Sequence, residues 1–295
     1  MRRLIINADD FGLTSGVNKA IIEAHQRGVI SSATLMAGGS AFDEAVTLAR
    51  ENPQLSVGCH VVLVDGTPLS PSAQVSSLLA AAGSNQFNHS VQSLMLRAFR
   101  HELRPEHIFT ETRVQIRKIQ AAGISVSHID THKHAHVHPR ILDPIMKAAK
   151  QCGIGALRNP VEPIPLLRIA AHPKLWKRCL EVSVTRTLTA KFRQSVERAG
   201  LATPEGTIGI VATGVLDNSL FASLIEHMPE GTWEFVCHPG YNDAELQSVR
   251  TRLRNSREQE LRTLTSPTVQ ELLRRQGIEL ISYRQFTAEI AAAGR

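Results

Sequence analysis

Apolar and polar residues alternate in blocks along this chain. Leu4-Ile5-Ile6-Asn7-Ala8 is a short apolar run with β-branched residues, the signature of a buried strand. Thr14 or Ser15 can cap a helix whose apolar positions, Val17, Ala20, Ile21 and Ala24, fall at helical spacing before Gly28. The alternation repeats. Strands are predicted at 32–36, 55–61, 124–130, 154–158, 208–212, 233–237 and 278–282. Helices are predicted after Ser40, over 105–122, from Pro139, over 220–227, 257–263 and 267–276. Strand–helix alternation of this length predicts an α/β fold with a parallel sheet.

Two stretches break the rhythm. Residues 64–104 carry Gly66, Pro68, Pro71 and Gly83-Ser84-Asn85 and read as an excursion over one face. Residues 159–200 carry four prolines, then Trp176, Leu180, Val184, Leu188 and Phe192, one apolar stripe on a basic helix. That stripe suits a cap, a homodimer contact, a peripheral membrane contact or an apolar substrate.

The chemistry lies at predicted strand ends. The first strand runs into Asp9-Asp10-Phe11-Gly12, the third into His60, the fifth into Arg158 and the seventh into His238-Pro239-Gly240. The fourth delivers His128-Ile129-Asp130-Thr131-His132-Lys133-His134-Ala135-His136-Val137-His138. In an extended strand, His128, Asp130, His132, His134, His136 and His138 would share one face. Adjacent carboxylates at a buried strand end are costly without a partner, and a divalent cation is one solution. The bland readings are a capped turn at Asp9-Asp10, a core histidine at 60 and a polar histidine-rich loop. Recurrence at the same end of successive strands favours a site, because parallel α/β sheets bind at their carboxyl ends. One carboxylate and two imidazoles make an open metal site, and such donors suit Zn, Mg, Mn, Co or Ni. With an Asp base and a separate His acid, that set fits metal-assisted hydrolysis.

Composition changes the picture little. The 295 residues carry a formal net charge of +6 and 42% hydrophobic residues, enough for a substantial core. The modest basic excess favours a solvated face over nucleic-acid binding. The four cysteines, Cys59, Cys152, Cys179 and Cys237, lack metal-finger spacing. With no leader-like or membrane-spanning run, the chain reads as cytoplasmic with reduced thiols. Cys59 and Cys237 are expected to point into sheet packing, which makes a thiol nucleophile the weaker alternative.

Asn7-Ala8-Asp9-Asp10-Phe11-Gly12, Gly58-x-His60, His128-x-Asp130-x-His132-x-His134-x-His136 and Cys237-His238-Pro239-Gly240 together resemble the YdjC-like carbohydrate deacetylases over nearly the whole chain. The resemblance implies an α/β fold of distorted (β/α) TIM-like barrel type, a single domain with insertions on the active-site face, and removal of acetyl from an N-acetylated sugar with a divalent metal, Mg or Zn foremost. It implies metal ligands Asp10, His60 and His132, a base Asp9, an acid His238, and Arg158 orienting or tuning the base. His134 and His136 become substrate or supporting contacts and Asp130 an orienter; Asp9 and Asp10 could exchange roles. His60-Val61-Val62-Leu63-Val64-Asp65-Gly66-x-Pro68, His132-Lys133-His134-x-His136-x-His138-Pro139 and Leu157-Arg158-x-Pro160-x-Glu162-Pro163 look most like the hopanoid-biosynthesis branch, which implies an N-acetylglucosaminyl lipid. The branch acting on chitooligosaccharides tends to carry histidine where this chain has Lys133. A carbohydrate-binding barrel without catalysis and a phosphoester hydrolase are the competing classes.

Overall fold

The computed structural model describes residues 1–162 and 189–293. Among these residues seven strands form one parallel sheet: β1 (Arg2–Phe11), β2 (Ser32–Leu35), β3 (Ser56–Val61), β4 (Ile129–Thr131), β5 (Thr207–Ile208), β6 (Gly231–Cys237) and β7 (Glu279–Leu280). Their order is β4-β3-β2-β1-β6-β5. β7 pairs with β1 at Arg3 and Leu4, on the edge that β2 takes over from Asn7 onward.

The predicted strand at 154–158 is not a strand. It makes isolated bridges instead, Ile129↔Leu157 and Ala156↔Ala202. These matter to the architecture. Arg158 N–H donates to Ile129 O at 3.0 Å on β4, and Thr207 N–H of β5 donates to Val161 O at 3.0 Å. The irregular run 155–161 therefore joins the two edges of the sheet and curls it into a barrel. β5 is likewise shorter than predicted, because the chain turns at Gly209, whose φ of +98° suits glycine.

The two faces of β1 explain the layering. Leu4, Ile6 and Ala8 belong to the main core, with Val17, Ala20 and Ile21 of the first helix (Ser15–Gln26) and residues of the other surrounding helices. Ile5, on the opposite face, belongs to a smaller cluster with Ala156, Ile281, Tyr283 and Phe286. That cluster is the floor of the barrel. Tyr283 and Phe286 come from the C-terminal helix (Tyr283–Ala293).

Above the floor the barrel interior is polar. The His128 ring stacks on Tyr283 at 3.6 Å between centroids. A Cβ at Gly58 would stand 2.5 Å from His128 Cε1, so only glycine leaves room for that ring. Asn7, Thr34, Asp130, Arg158 and Glu234 fill the next level, all fully buried. Among the described residues, no helix is long and apolar enough to cross a membrane. Most of the predicted apolar stripe, Trp176, Leu180, Val184 and Leu188, lies outside the described residues. Phe192, in the helix Thr189–Arg198, is buried with its ring centroid 6.0 Å from that of His136.

Candidate active site

Asp9 and Asp10 are consecutive, so a regular strand would aim them at opposite faces. Asp9 keeps the inward parity of Ile5 and Asn7. Asp10 is turned by its backbone: its φ is +67°, in the left-handed region, and the β1–β2 register shifts between Ala8 and Phe11. This bulge brings the second carboxylate to the same mouth as the first.

Asp10, His60 and His132 offer ligand atoms within 4.8 Å of one another. Asp10 Oδ1 lies 3.5 Å from His60 Nε2 and 3.5 Å from His132 Nδ1. The two ring nitrogens are 3.3 Å apart. Asp10 Oδ1 is buried and has no hydrogen-bond partner. A buried carboxylate oxygen facing two imidazole nitrogens is the arrangement a divalent cation satisfies, so these donors fit the metal that the sequence suggests. On the far side of its ring, His60 Nδ1 donates to Asp130 Oδ1 at 2.8 Å, which fixes the ring and leaves Nε2 for the site. Burial disfavours a charged His60, but Asp130, Asp9 and Asp10 outweigh it and push its pKa up to about 9. A cation binding at Nε2 must therefore displace a proton.

Asp9, His60 and Asp130 form a second acidic group. Its cationic place is already taken. The Arg158 guanidinium forks onto Asp9 at 2.8 and 2.6 Å, reaches Asp130 at 2.6 Å and binds Glu234 at 2.8 and 2.6 Å. Burial raises the Asp9 pKa, but Arg158 more than offsets this and holds the carboxyl well below the usual carboxylate range. The Tyr283 hydroxyl donates to the other oxygen of Glu234, so the floor helix supports the same cluster. Asp10 is also held below the ordinary range: burial opposes ionisation, and Arg257 overcomes it.

His238, at the end of β6, places Nε2 3.9 Å from Asp9 Oδ2. Its backbone N–H donates to Glu260 Oε2 at 2.6 Å, and its Nδ1 lies 3.9 Å from that oxygen. Burial lowers the His238 pKa, while Glu260, Asp9 and Asp10 work against the shift.

The histidine-rich run departs from the predicted single face. β4 ends at Thr131, and His132–Val137 is a 3₁₀ turn in which Lys133 (φ 56°) and His134 (φ 53°) are left-handed. Strand parity therefore stops at His132. His134 is held neutral by burial and by Arg158, and its Nδ1 is buried without a partner. His136 folds back, with Nδ1 2.6 Å from Thr131 Oγ1 and Nε2 donating to Arg158 O at 3.1 Å. It ties the turn to the barrel seam rather than facing the donors. His138 caps the next helix (Pro139–Gln151) by accepting from Arg140 N. Cys59 and Cys237 are buried, and burial raises both thiol pKa values, against a nucleophilic role.

Residues 3–275 match the YdjC-like protein family. The chain belongs to that family. It is 32% identical over 284 residues to a carbohydrate deacetylase of Brevibacillus brevis, covering 96% of this chain and 99% of that protein. It is 33% identical to a carbohydrate deacetylase of Geobacillus stearothermophilus, covering 97% and 98%. Among solved structures, a protein of Enterococcus faecalis named for a proposed role in cellobiose-phosphate cleavage superposes with a TM-score of 0.78 at 28% identity, covering 97% and 98%. Likeness of this extent to curated deacetylases makes this YdjC-like chain an enzyme of the hydrolase type.

Sequence reasoning missed Glu234, Arg257 and Glu260. Glu234 carried a readable signal: it is the only charged residue in Trp233-Glu234-Phe235-Val236-Cys237, with the parity of His238. A carboxylate in a buried strand needs a cationic or donor partner. Arg257 and Glu260 sit in a helix rich in charge, where nothing distinguishes them from solvated residues.

Proposed function

We propose that this YdjC-like protein hydrolyses the acetamide of an N-acetylated amino sugar, using a divalent metal held by Asp10, His60 and His132. The observation that carries the reading is the buried, unpartnered Asp10 Oδ1 set between two imidazole nitrogens. The names of the curated relatives supply the substrate class. When bound, the metal would polarise the amide carbonyl and the attacking water and stabilise the oxyanion.

The remaining work falls to the chain. Asp9 takes the water proton. Arg158 keeps Asp9 ionised and fixed in plane, at a cost in basicity. His238, whose Nε2 lies 3.9 Å from Asp9 Oδ2 and so exchanges protons with it through one water, protonates the leaving nitrogen, which an amide needs because a free amide anion leaves poorly. Glu260 accepts from the His238 backbone N–H and so anchors the strand end that carries the ring. Asp130 orients His60. His134, held neutral by burial, is a substrate or supporting contact beside His132.

Within this class the favoured substrate is an N-acetylglucosaminyl lipid of hopanoid type, with N-acetylglucosamine oligomers as the alternative. Two of the motifs behind the branch resemblance meet in space: Lys133 of the histidine-rich turn pairs with Asp65 of the segment following His60. The test is acetate release by metal-reconstituted protein from each substrate, with and without chelator. We expect chelator-sensitive acetate, abolished in a folded His132→Ala variant. Release from the oligomers alone would move the substrate to the free sugar. No acetate from either, with metal bound, would overturn the deacetylase reading.

A further inference from the structure

Arg257 belongs to the helix Asn255–Leu264 and is 1% exposed. Its Nη2 donates to Asp10 Oδ2 at 2.5 Å, and its Nε donates to Leu253 O at 3.2 Å. Its stem is clamped under the His238-Pro239-Gly240 turn, where a Cβ on Gly240 would come within 2.9 Å of Arg257 Cδ. The guanidinium is therefore fixed by the Leu253 carbonyl and by the neighbouring turn, not by Asp10 alone. The carboxylate is divided: Oδ2 is taken by Arg257, while Oδ1 faces His60 Nε2 and His132 Nδ1.

We propose that Arg257 is a positioning residue that makes Asp10 a one-oxygen ligand. The proposal rests on the reading of Asp10, His60 and His132 as the ligand set. A free carboxylate can close on a cation through both oxygens, and the second oxygen would fill a coordination position that water or the amide carbonyl must use. With Oδ2 held, Asp10 contributes one donor and the site stays open. The left-handed backbone at Asp10 serves the same end, because it aims the carboxylate between the guanidinium and the two imidazoles.

Three properties follow for a variant lacking the guanidinium. Cation affinity does not fall, since a positive neighbour has gone and a second donor has been freed. Coordination number rises. Turnover falls, because the open position is filled. The experiment uses Co²⁺ as the probe, on the full chain. Arg257→Met is compared with wild type for Co²⁺ dissociation constant, visible absorption of the bound Co²⁺, and kcat and KM for acetate release. We expect affinity unchanged or about tenfold tighter. We expect absorption bands weakened, as for higher coordination, and kcat lower by about 100-fold with KM nearly constant. Arg257→Lys keeps the charge without the planar fork and should fall between the two in spectrum and kcat.

A folded Arg257→Met protein with wild-type Co²⁺ bands and kcat overturns the proposal. So does one that no longer binds Co²⁺, since Arg257 would then build the site rather than restrict it. If the Met variant does not fold, an Arg257→Lys protein identical to wild type in bands and kcat overturns it, and an altered spectrum supports it. His132→Ala separates the two levels. Wild-type Co²⁺ bands in that variant would sink the ligand assignment itself, whatever Arg257 does.

Discussion

Arg158 is the residue on which the interior depends most. One guanidinium answers three buried carboxylates, Asp9, Asp130 and Glu234, and none of the four residues is more than 2% exposed. Removing one partner of a buried ionic cluster costs far more than the cluster contributes when whole, because the desolvation of the others is left uncompensated. Arg158→Met is therefore predicted to destabilise the protein by roughly 3–5 kcal/mol in urea unfolding at neutral pH. Part of that loss should return on acidification, since the orphaned carboxylates then bind protons in the folded state more readily than in the unfolded chain. A loss below about 1 kcal/mol, of the size expected of a surface pair, would show that the cluster is not held as described. At this scale the sequence was partly legible. Asp9, Asp10, His60, Arg158 and His238 could be read because each ends an apolar run, where a polar residue has no solvated excuse. Arg257 and Glu260 could not, because an amphipathic helix has many charged residues and the chain does not say which of them turns inward.

At the scale of elements, period-two reasoning worked for as long as the backbone stayed extended. His128, Asp130 and His132 share the barrel interior and its mouth, as alternation requires. Beyond Thr131 the rule fails, because Lys133 and His134 adopt left-handed conformations that polar spacing does not announce. The same limit explains the predicted strand at 154–158, whose apolar residues pair only through isolated bridges.

The run that follows it carries a titratable anchor. Glu162 accepts from Gly209 N at 2.8 Å and Val211 N at 2.9 Å, tying the barrel seam to the turn after β5. Burial pushes its pKa up to about 7, against those backbone donors, from an ordinary value of 4.5. Between these two pH values the folded state holds a proton that the unfolded chain has released. Stability contributed by Glu162 is therefore full below about pH 4.5 and is lost as pH rises through 7. The window corresponds to about 3 kcal/mol. Glu162→Gln should flatten the pH dependence of urea unfolding between pH 5 and 8 by an amount of this order. Parallel wild-type and variant curves would contradict it.

For the whole molecule, the C-terminal helix does more than its distance from the mouth suggests. The family match ends at residue 275, yet Tyr283 is fully buried, stacks on His128 and donates to Glu234. β7 covers an edge of β1 that β2 leaves open. Deleting residues 279–295 should remove the barrel floor and either prevent folding or lower the melting temperature by about 15 °C or more, given the loss of two buried aromatic side chains. A truncated chain melting within a few degrees of the full one would show that the floor is dispensable. The parallel α/β sheet was legible because alternating strands and helices leave few topologies, whereas its closing into a barrel was read from the family resemblance. The polar filling of its interior was not, since most of it comes from strand positions that look like scattered exceptions.

The seam at 155–161 has one further consequence, for how the enzyme would be lost. Arg158 lies on that seam, with its backbone bonded to β4 and its side chain to Asp9. The join is held by isolated bridges rather than by a continuous ladder. A barrel that begins to open there withdraws the guanidinium from Asp9, Asp130 and Glu234 in the same movement. Heat or denaturant would then not pass through a closed barrel with a disabled centre: disappearance of activity and disappearance of tertiary structure would be one cooperative event.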